Sequence, residues 1–201
     1  MTIESSNQMR IDLDRIKQKC GEFKKLEGRA SFFDMAKEIV DEHPLQACVL
    51  VLATWNAGRF RWFMSNSENL VKLKATINEC KILLDRMKQE DIQTVNLDEN
   101  GDVIKKVYER FSEIKGVEFT GASKIMHLFC PKLIVMWDSY IRKRYKFGTS
   151  PKDFLDFQKR MKKEFGHIKW DEPNKTLAKA IDEYNYMTIT FPKLKSKLYK
   201  Q

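Results

Sequence analysis

One carboxylate in the second half of the chain stands where it could do chemistry. Asp138 follows the apolar run 133–137 and precedes a predicted helix that begins with Ser139. A carboxylate fixed at such a position can stabilise a developing positive charge, and it can orient or deprotonate a water molecule. The same aspartate could instead be an ordinary helix N-cap, which contributes about 1 kcal/mol. Asp138 is therefore a candidate catalytic residue, with helix capping as the alternative.

Three polar residues upstream of this aspartate recur on one face of a predicted helix. Thr120, Lys124 and His127 follow one another at i, i+4 and i+7, so they share a face of the helix. A lysine amine on this face could attack an electrophilic carbon, or it could pair with a phosphate or an acidic side chain. A lone histidine is more often structural or solvent-exposed, so His127 is the weakest of the three candidates.

A tight turn precedes this helix. One helix is predicted to end at Lys115, Gly116 and Val117 form the turn, and the second helix begins near Thr120. The first residues of a helix present unpaired N–H groups and the positive end of the helix dipole. We therefore expect the turn to suit a phosphate group.

The segment 114–141 resembles the helix-hairpin-helix superfamily of base-excision DNA glycosylases. The tripeptide 115–117, Lys-Gly-Val, and the pair 122–123, Ala-Ser, match the hairpin of that family, and 134–138 matches its aspartate segment. The spacing is closest to the archaeal-type branch that removes oxidised guanine. In that branch the catalytic lysine falls at the position of Thr120 and the aspartate falls at Asp138.

Departures from the family pattern change the chemistry that the resemblance implies. Thr120 occupies the place of the lysine that forms a Schiff base, which implies a monofunctional enzyme that uses water with Asp138. Lys124 lies one helical turn further along and could still reach a sugar carbon. Glu118 replaces the second hairpin glycine, and its charge opposes a phosphate there. No cysteine follows Cys130, so the four-cysteine cluster of the endonuclease III branch is missing.

The resemblance places DNA contacts in the hairpin and in the charge run behind the aspartate. A charge run is more often a solvated face, but its place beside the candidate site favours contacts with the phosphates that flank a flipped base. The hairpin contacts expected on this basis are Lys115, Gly116, Val117, Glu118 and Gly121. The contacts expected from the charge run are Arg142, Lys143 and Arg144.

A weaker likeness covers 45–63, where the family places its first helical hairpin near the DNA. Asn56 and Arg59 could hydrogen-bond the base that is left orphaned when its partner is flipped out. The aromatic side chains of Trp55, Phe60 and Phe63 are expected in the core. For Asn56 and Arg59, a role without DNA contact remains the open alternative.

The composition limits the partners. The 201 residues carry a net charge of +9, which favours a polyanion, although the lysines could serve only for solubility. An apolar fraction of 42% excludes a disordered chain. No apolar run is long enough to span a bilayer, and residues 1–10 lack the apolar stretch of a secretory signal. We therefore expect a cytoplasmic protein without a membrane partner, associated with the nucleoid when it is bound to DNA.

The cysteines argue against a metal centre. Cys20, Cys48, Cys80 and Cys130 form no CxxC pair, and each stands beside apolar residues. Zinc and iron–sulfur sites need clustered thiolates, so we expect buried, reduced cysteines, no metal and no cofactor.

The apolar pattern is helical almost throughout. Apolar residues recur at steps of three and four, as in the stripe of Leu70, Leu73, Ile77, Cys80, Leu84 and Met87. We predict an all-α fold of the helix-hairpin-helix glycosylase type, with two small lobes and a cleft between them. The whole of 1–201 is expected to form one domain and a monomer, with the hairpin at 103–129 and the aspartate segment at 133–145.

These observations favour a monofunctional DNA glycosylase that removes a damaged or mispaired base from duplex DNA by base flipping. Two alternatives remain open at this point. The first is a non-catalytic DNA-binding module on the same fold, which Glu118 and Thr120 make credible. The second is a protein-interaction domain with incidental charge, which predicts little DNA affinity even at low salt.

Overall fold

A computed structural model describes residues 12–198, and within that range the chain is helical with no strand. This confirms the all-α class. Residues 1–10, in which no secretory signal is expected, lie outside the described residues. The helices are α1 Leu13–Leu26, α2 Ala30–Ile39, α3 Pro44–Trp55, α4 Ala57–Met64, α5 Glu68–Lys88, α6 Gly101–Ser112, α7 Glu118–Phe129, α8 Ser139–Arg144, α9 Pro151–Phe165, α10 Leu177–Asn185 and α11 Phe191–Leu198, with a π-helical turn at Tyr186–Thr190.

Local sequence signals explain where several helices begin. The Ser150 and Asp153 side chains form a capping box at the start of α9, with proline at the first helical position. Thr176 caps α10 and Asp12 caps α1, each through a hydrogen bond from a backbone N–H three residues later. No helix within residues 12–198 has both the length and the apolar character needed to cross a membrane.

The buried apolar side chains form one contiguous core that extends from Ile16 in α1 to Tyr184 in α10. Helix α7 lies inside this core, because it packs against α3, α5 and α6 and is buried along 120–128. The sequence predicts an apolar and a polar face for α7, but the structure buries both faces. The four cysteines are free and buried, as expected.

The hairpin between α6 and α7 starts and ends slightly away from the predicted residues. Helix α6 ends at Ser112 rather than at Lys115, and α7 begins at Glu118 rather than near Thr120. The intervening turn is closed because the N–H groups of residues 117 and 118 both donate to the carbonyl oxygen of Ile114, at 3.0 and 3.1 Å. Gly116 adopts a φ of +83° in this turn, which lies in the left-handed region that glycine tolerates.

The apolar segment before Asp138 is extended, but it has no neighbouring strand among the described residues. Buried side chains bind its backbone instead. Gln158 of α9 accepts from the N–H of Val135 and donates to its carbonyl oxygen, both at 2.9 Å. His127 of α7 bonds the carbonyl oxygen of Ile134 through Nδ1. A buried polar group needs such partners, and these two explain why the segment is held without a sheet.

The aromatic segment 55–63 does not form a loop. Helix α3 ends at Trp55 and α4 begins at Ala57, so only Asn56 separates them. Phe63 is buried, and Trp55 packs partly buried against Phe23, with ring centroids 5.8 Å apart. These aromatic side chains therefore belong to the core, as the sequence predicts.

Candidate functional site

A cavity of about 350 Å³ brings together Thr120, Lys124 and Asp138. Thr120 and Lys124 reach it from α7, and Asp138 reaches it from the start of α8. Asn56 and Arg59 also line it from the junction of α3 and α4. We call this space the Asp138 cavity.

Asp138 is held rigidly at the wall of this cavity. Its Oδ1 accepts hydrogen bonds from the backbone N–H groups of Tyr140 and Ile141, both at 2.8 Å. Its Oδ2 accepts from the hydroxyl of Thr190, at 2.7 Å. Asp138 is therefore the N-cap of α8 and a cavity carboxylate at the same time, so the two alternatives for this residue coexist.

Bonds between α7 and the extended segment set the position of this aspartate. The backbone N–H of Trp137 donates to Ser123 Oγ at 3.3 Å, and Ser123 Oγ lies 2.9 Å from the carbonyl oxygen of Thr120. The indole N–H of Trp137 donates to the carbonyl oxygen of Phe119 at 3.1 Å. The residue before Asp138 is thus tied to α7 at two points.

Lys124 is buried in the cavity wall with only 9% of its surface exposed. Its Nζ donates to the carbonyl oxygen of Trp55. Burial lowers the pKa of Lys124 to about 8, although the negative charges of Asp138 and Asp182 act in the opposite direction. An amine that titrates in this range can give or take a proton near neutral pH.

His127 does not join this cavity. It is fully buried and lines a different cleft, where its ring lies 5.5 Å from the ring of Phe33. Burial lowers the pKa of His127 to about 3, so the imidazole stays neutral and binds the extended segment. The geometry supports the structural interpretation of this histidine.

Several residues of the cavity carry no motif that the sequence could reveal. Asp182 in α10 and Thr190 in the following π-helical turn both line it. Arg29 and Tyr186 also line it, and the Arg29 guanidinium lies 3.1 Å from the Tyr186 hydroxyl. That hydroxyl donates to Glu27 at 2.9 Å. The only hint of these residues in the sequence is that Asp182 and Tyr186 are four positions apart, which places them on the same face of a helix.

The turn between α6 and α7 packs closely against α3 and α4. The side-chain amide of Asn56 donates to the carbonyl oxygens of Gly116 and Val117, at 2.9 and 3.3 Å, and is 6% exposed. Gly121 is buried, and a Cβ there would lie 2.9 Å from Leu52. Lys115 is exposed. The geometry therefore gives Asn56 a structural role in holding the turn, and it leaves Lys115 accessible to a phosphate.

Arg59 faces the hairpin and is paired there. Its guanidinium forms an ion pair with Glu118 and lies 4.8 Å from the centre of the Phe119 ring. The guanidinium of Arg142 lies 5.2 Å from the same ring. Glu118 itself has a φ of 48°, so a glutamate occupies a left-handed position that favours glycine.

The basic side chains that follow Asp138 point to different parts of the surface. Arg142 donates to the carbonyl oxygen of Phe147 at 2.7 Å and is only partly exposed. Lys143 is exposed, whereas Arg144 lines a separate cleft together with Arg160. The structure thus brings Arg142, but not Arg144, to the Phe119 ring beside the Asp138 cavity.

Glu118→Gly is expected to tighten DNA binding a few-fold at low salt, because it removes a negative charge from the hairpin and frees Arg59. The gain should shrink as salt screens the site. Glycine also relieves a left-handed strain of about 1 kcal/mol. The lost ion pair is about one-third exposed on both sides and is worth at most about 1 kcal/mol, so stability should change little. Titrations with a duplex oligonucleotide and thermal melts measure the two effects.

Glu118→Gln is the matched variant, since it removes the charge but keeps the strained side chain. It should bind DNA as tightly as Glu118→Gly does, but its melting temperature should be lower than that of Glu118→Gly. Unchanged affinity in both variants would show that the hairpin does not meet phosphate.

The cavity joins a fixed carboxylate, a buried amine and aromatic walls. Such a set can stabilise a positive charge, orient water and exchange protons. No protein-family model, curated protein or solved structure matches this chain. The function is therefore argued from the chemistry of the Asp138 cavity.

Proposed function

We propose that this protein is a monofunctional DNA N-glycosylase, with a helix-hairpin-helix glycosylase-like fold, that removes a damaged or mispaired base from duplex DNA with the help of water. The observation that carries the proposal is the setting of Asp138. Three hydrogen bonds fix its carboxylate beside the buried amine-bearing Lys124, in a cavity open to solvent. These hydrogen bonds hold the carboxylate in one orientation at the cavity wall, and an oriented carboxylate is the group that the reaction needs.

The reaction builds positive charge on the deoxyribose as the base departs. A carboxylate that is already oriented stabilises this charge without reorganising during the step. The Asp138 cavity, at about 350 Å³, falls in the range of about 300–1,000 Å³ that small-molecule pockets occupy. A flipped nucleotide could enter such a space, where Trp55 and Tyr186 offer aromatic surface for stacking.

The charge of the chain supports a nucleic-acid partner. A net charge of +9 favours binding through phosphate contacts, and the exposed Lys115, Arg61 and Lys143 are available for them. Thr120 and Glu118 depart from the glycosylase pattern and favour the second candidate, a DNA-binding module without catalysis. The two candidates differ in a single measurable outcome, which is the release of free base.

The deciding experiment incubates the protein with a panel of duplexes, each carrying one oxidised, deaminated or alkylated base. We expect free base to appear from at least one duplex, with strand cleavage lagging far behind. Borohydride should trap no covalent complex, because Thr120 stands in the lysine position and Lys124 Nζ is bound to the carbonyl oxygen of Trp55.

The other outcomes separate the alternatives. Salt-dependent binding with no base released from any duplex favours the non-catalytic module. Efficient trapping shows an amine nucleophile and contradicts the monofunctional mechanism. Absence of binding even at low salt favours a protein-interaction domain.

A further inference from the structure

A second carboxylate, Asp182 of α10, lines the same cavity as Asp138. It is only 7% exposed, and a carboxylate is rarely buried to this extent without a partner or a function. Its Oδ2 accepts from Lys179 Nζ at 3.0 Å. Its Oδ1 has no hydrogen-bond partner in the described part of the chain. One oxygen of Asp182 is therefore available to a ligand in the cavity.

The two aspartates of the cavity differ in how many of their carboxylate oxygens accept hydrogen bonds. Both oxygens of Asp138 are occupied, Oδ1 by two backbone N–H groups and Oδ2 by the Thr190 hydroxyl. A carboxylate engaged in this way is suited to act as a fixed charge. Asp182, with a free oxygen, is better placed to accept a proton.

Lys179 is the ion-pair partner of Asp182, with Nζ 3.0 Å from Oδ2. Lys179 is enclosed by aromatic rings, with Nζ 5.1, 5.0 and 5.3 Å from the ring centres of Phe23, Phe33 and Trp55. Burial acts to lower the pKa of Lys179, but the charges of Asp182 and Glu183 outweigh it and raise that pKa. The raised pKa of Lys179 means that a cation lies beside Asp182 and fixes the position of its Oδ2.

Lys124 is the natural counterpart of Asp182. Both side chains line the Asp138 cavity, and the charge of Asp182 favours the protonated form of Lys124. The Lys124 amine and the Asp182 carboxylate thus line one small space. Pairs of titratable groups with different environments are the usual acid and base of an enzyme.

Resting on the glycosylase activity proposed above, we propose that Asp182 is the general base and Lys124 the general acid of the Asp138 cavity. The bond between C1′ and the base nitrogen breaks, and its electron pair stays on the base. The Lys124 ammonium gives a proton to that nitrogen. A water oxygen bonds to C1′, and the water proton passes to Asp182. Transfer of this proton from Asp182 to the Lys124 amine restores both groups.

This assignment fixes the direction of the pH dependence. The acid role needs Lys124 protonated, and its amine loses the proton as the pH rises through about 8. Base release should therefore fall above this pH, whereas a nucleophilic amine would become more active. The charged groups acting on Lys124 are Asp138 and Asp182, which favour its proton, and Arg29 and Lys179, which oppose it.

The test compares Asp182→Asn with Glu183→Gln on a duplex that the parental protein processes. Glu183 is the matched control, because it is a buried neighbour that also pairs with Lys179 but lines the other cleft. Single-turnover base release should fall at least about 100-fold in Asp182→Asn and only a few-fold in Glu183→Gln. DNA affinity should stay unchanged in both. Lys124→Gln should lose the decline above pH 8, and Asp182→Glu should recover part of the rate.

A second readout follows the Lys124 amine directly by NMR titration of the DNA-free protein. Its pKa should drop in Asp182→Asn and stay in place in Glu183→Gln. An unmoved pKa overturns the pairing, whatever the activity. A parental rate and pH profile in Asp182→Asn also overturns it, while leaving the glycosylase proposal intact. A parental protein that releases no base from any duplex, with the pKa response present, instead contradicts the glycosylase proposal and retains the Asp182–Lys124 pair.

Discussion

Asp138→Asn is expected to slow base release at least about 100-fold, the usual loss when a preorganised electrostatic group is removed from a reaction. In the proposed mechanism, the variant removes the negative charge that faces the sugar cation. It retains an oxygen that can accept from the N–H groups of Tyr140 and Ile141, so α8 should remain capped. Single-turnover base release, duplex affinity and melting temperature measure the three properties, and only the first should change strongly.

Asp12→Asn is the matched control for this variant. Asp12 caps α1 through a bond of 2.8 Å from the N–H of Arg15, in the same way as Asp138 caps α8, but it does not line the cavity. Its replacement should change stability by a similar small amount and leave base release at the parental rate. If Asp138→Asn releases base as fast as Asp12→Asn does, Asp138 is a cap and has no part in catalysis.

The sequence alone could identify those cavity residues that one short segment of the chain supplies. Thr120, Lys124 and Asp138 belong to a single helix and the segment that follows it, so helical spacing alone relates them. Arg29 and Tyr186 are 157 residues apart in the chain and still meet at the cavity. Such long-range contacts arise from the packing of helices, which no local pattern encodes.

The spacing of apolar residues was enough to predict the all-α class, but it did not predict which side chains are buried. Apolar residues that recur every three or four positions predict that α7 is a helix. The same pattern also assigns Lys124 and His127 to a polar face. Both residues are buried because other elements cover that face, and their side chains bond the backbone carbonyl oxygens of Trp55 and Ile134 instead of solvent. The extended segment near Val135 is also held by a side chain from another helix. Its backbone is satisfied by the side chain of Gln158, which is a partner that periodicity cannot reveal.

The turn before α7 could be located from its glycine, but its packing partner could not. Gly116 is followed by a helix in the sequence, which is enough to predict a turn. The close contact with α4 depends on residues far upstream, at Asn56 and Phe63. This contact determines where α7 starts, and therefore where Thr120 and Lys124 enter the cavity.

Gly116→Ala is expected to destabilise the fold by about 2–6 kcal/mol, of which a left-handed alanine contributes about 1–3 kcal/mol and overpacking about 1–3 kcal/mol. The φ of +83° is strained for any residue with a Cβ. A Cβ at this position would also lie 2.6 Å from the Cα of Phe63, and a backbone atom cannot rotate away. Chemical denaturation gives the free energy of unfolding. Gly21→Ala is the control, since Gly21 lies inside α1 with nothing within 4 Å of a new Cβ.

The control should gain about 0.5–1 kcal/mol, because alanine favours a helix interior over glycine. The contrast between the two variants separates the demands of this turn from a general effect of replacing glycine. A Gly116→Ala protein within about 0.5 kcal/mol of the parental stability, well below the strain of one left-handed alanine, would mean that the turn does not lie against the α4 backbone. The placement of α7 would then be different, and Lys124 could not share a cavity with Asp138 and Asp182 as described.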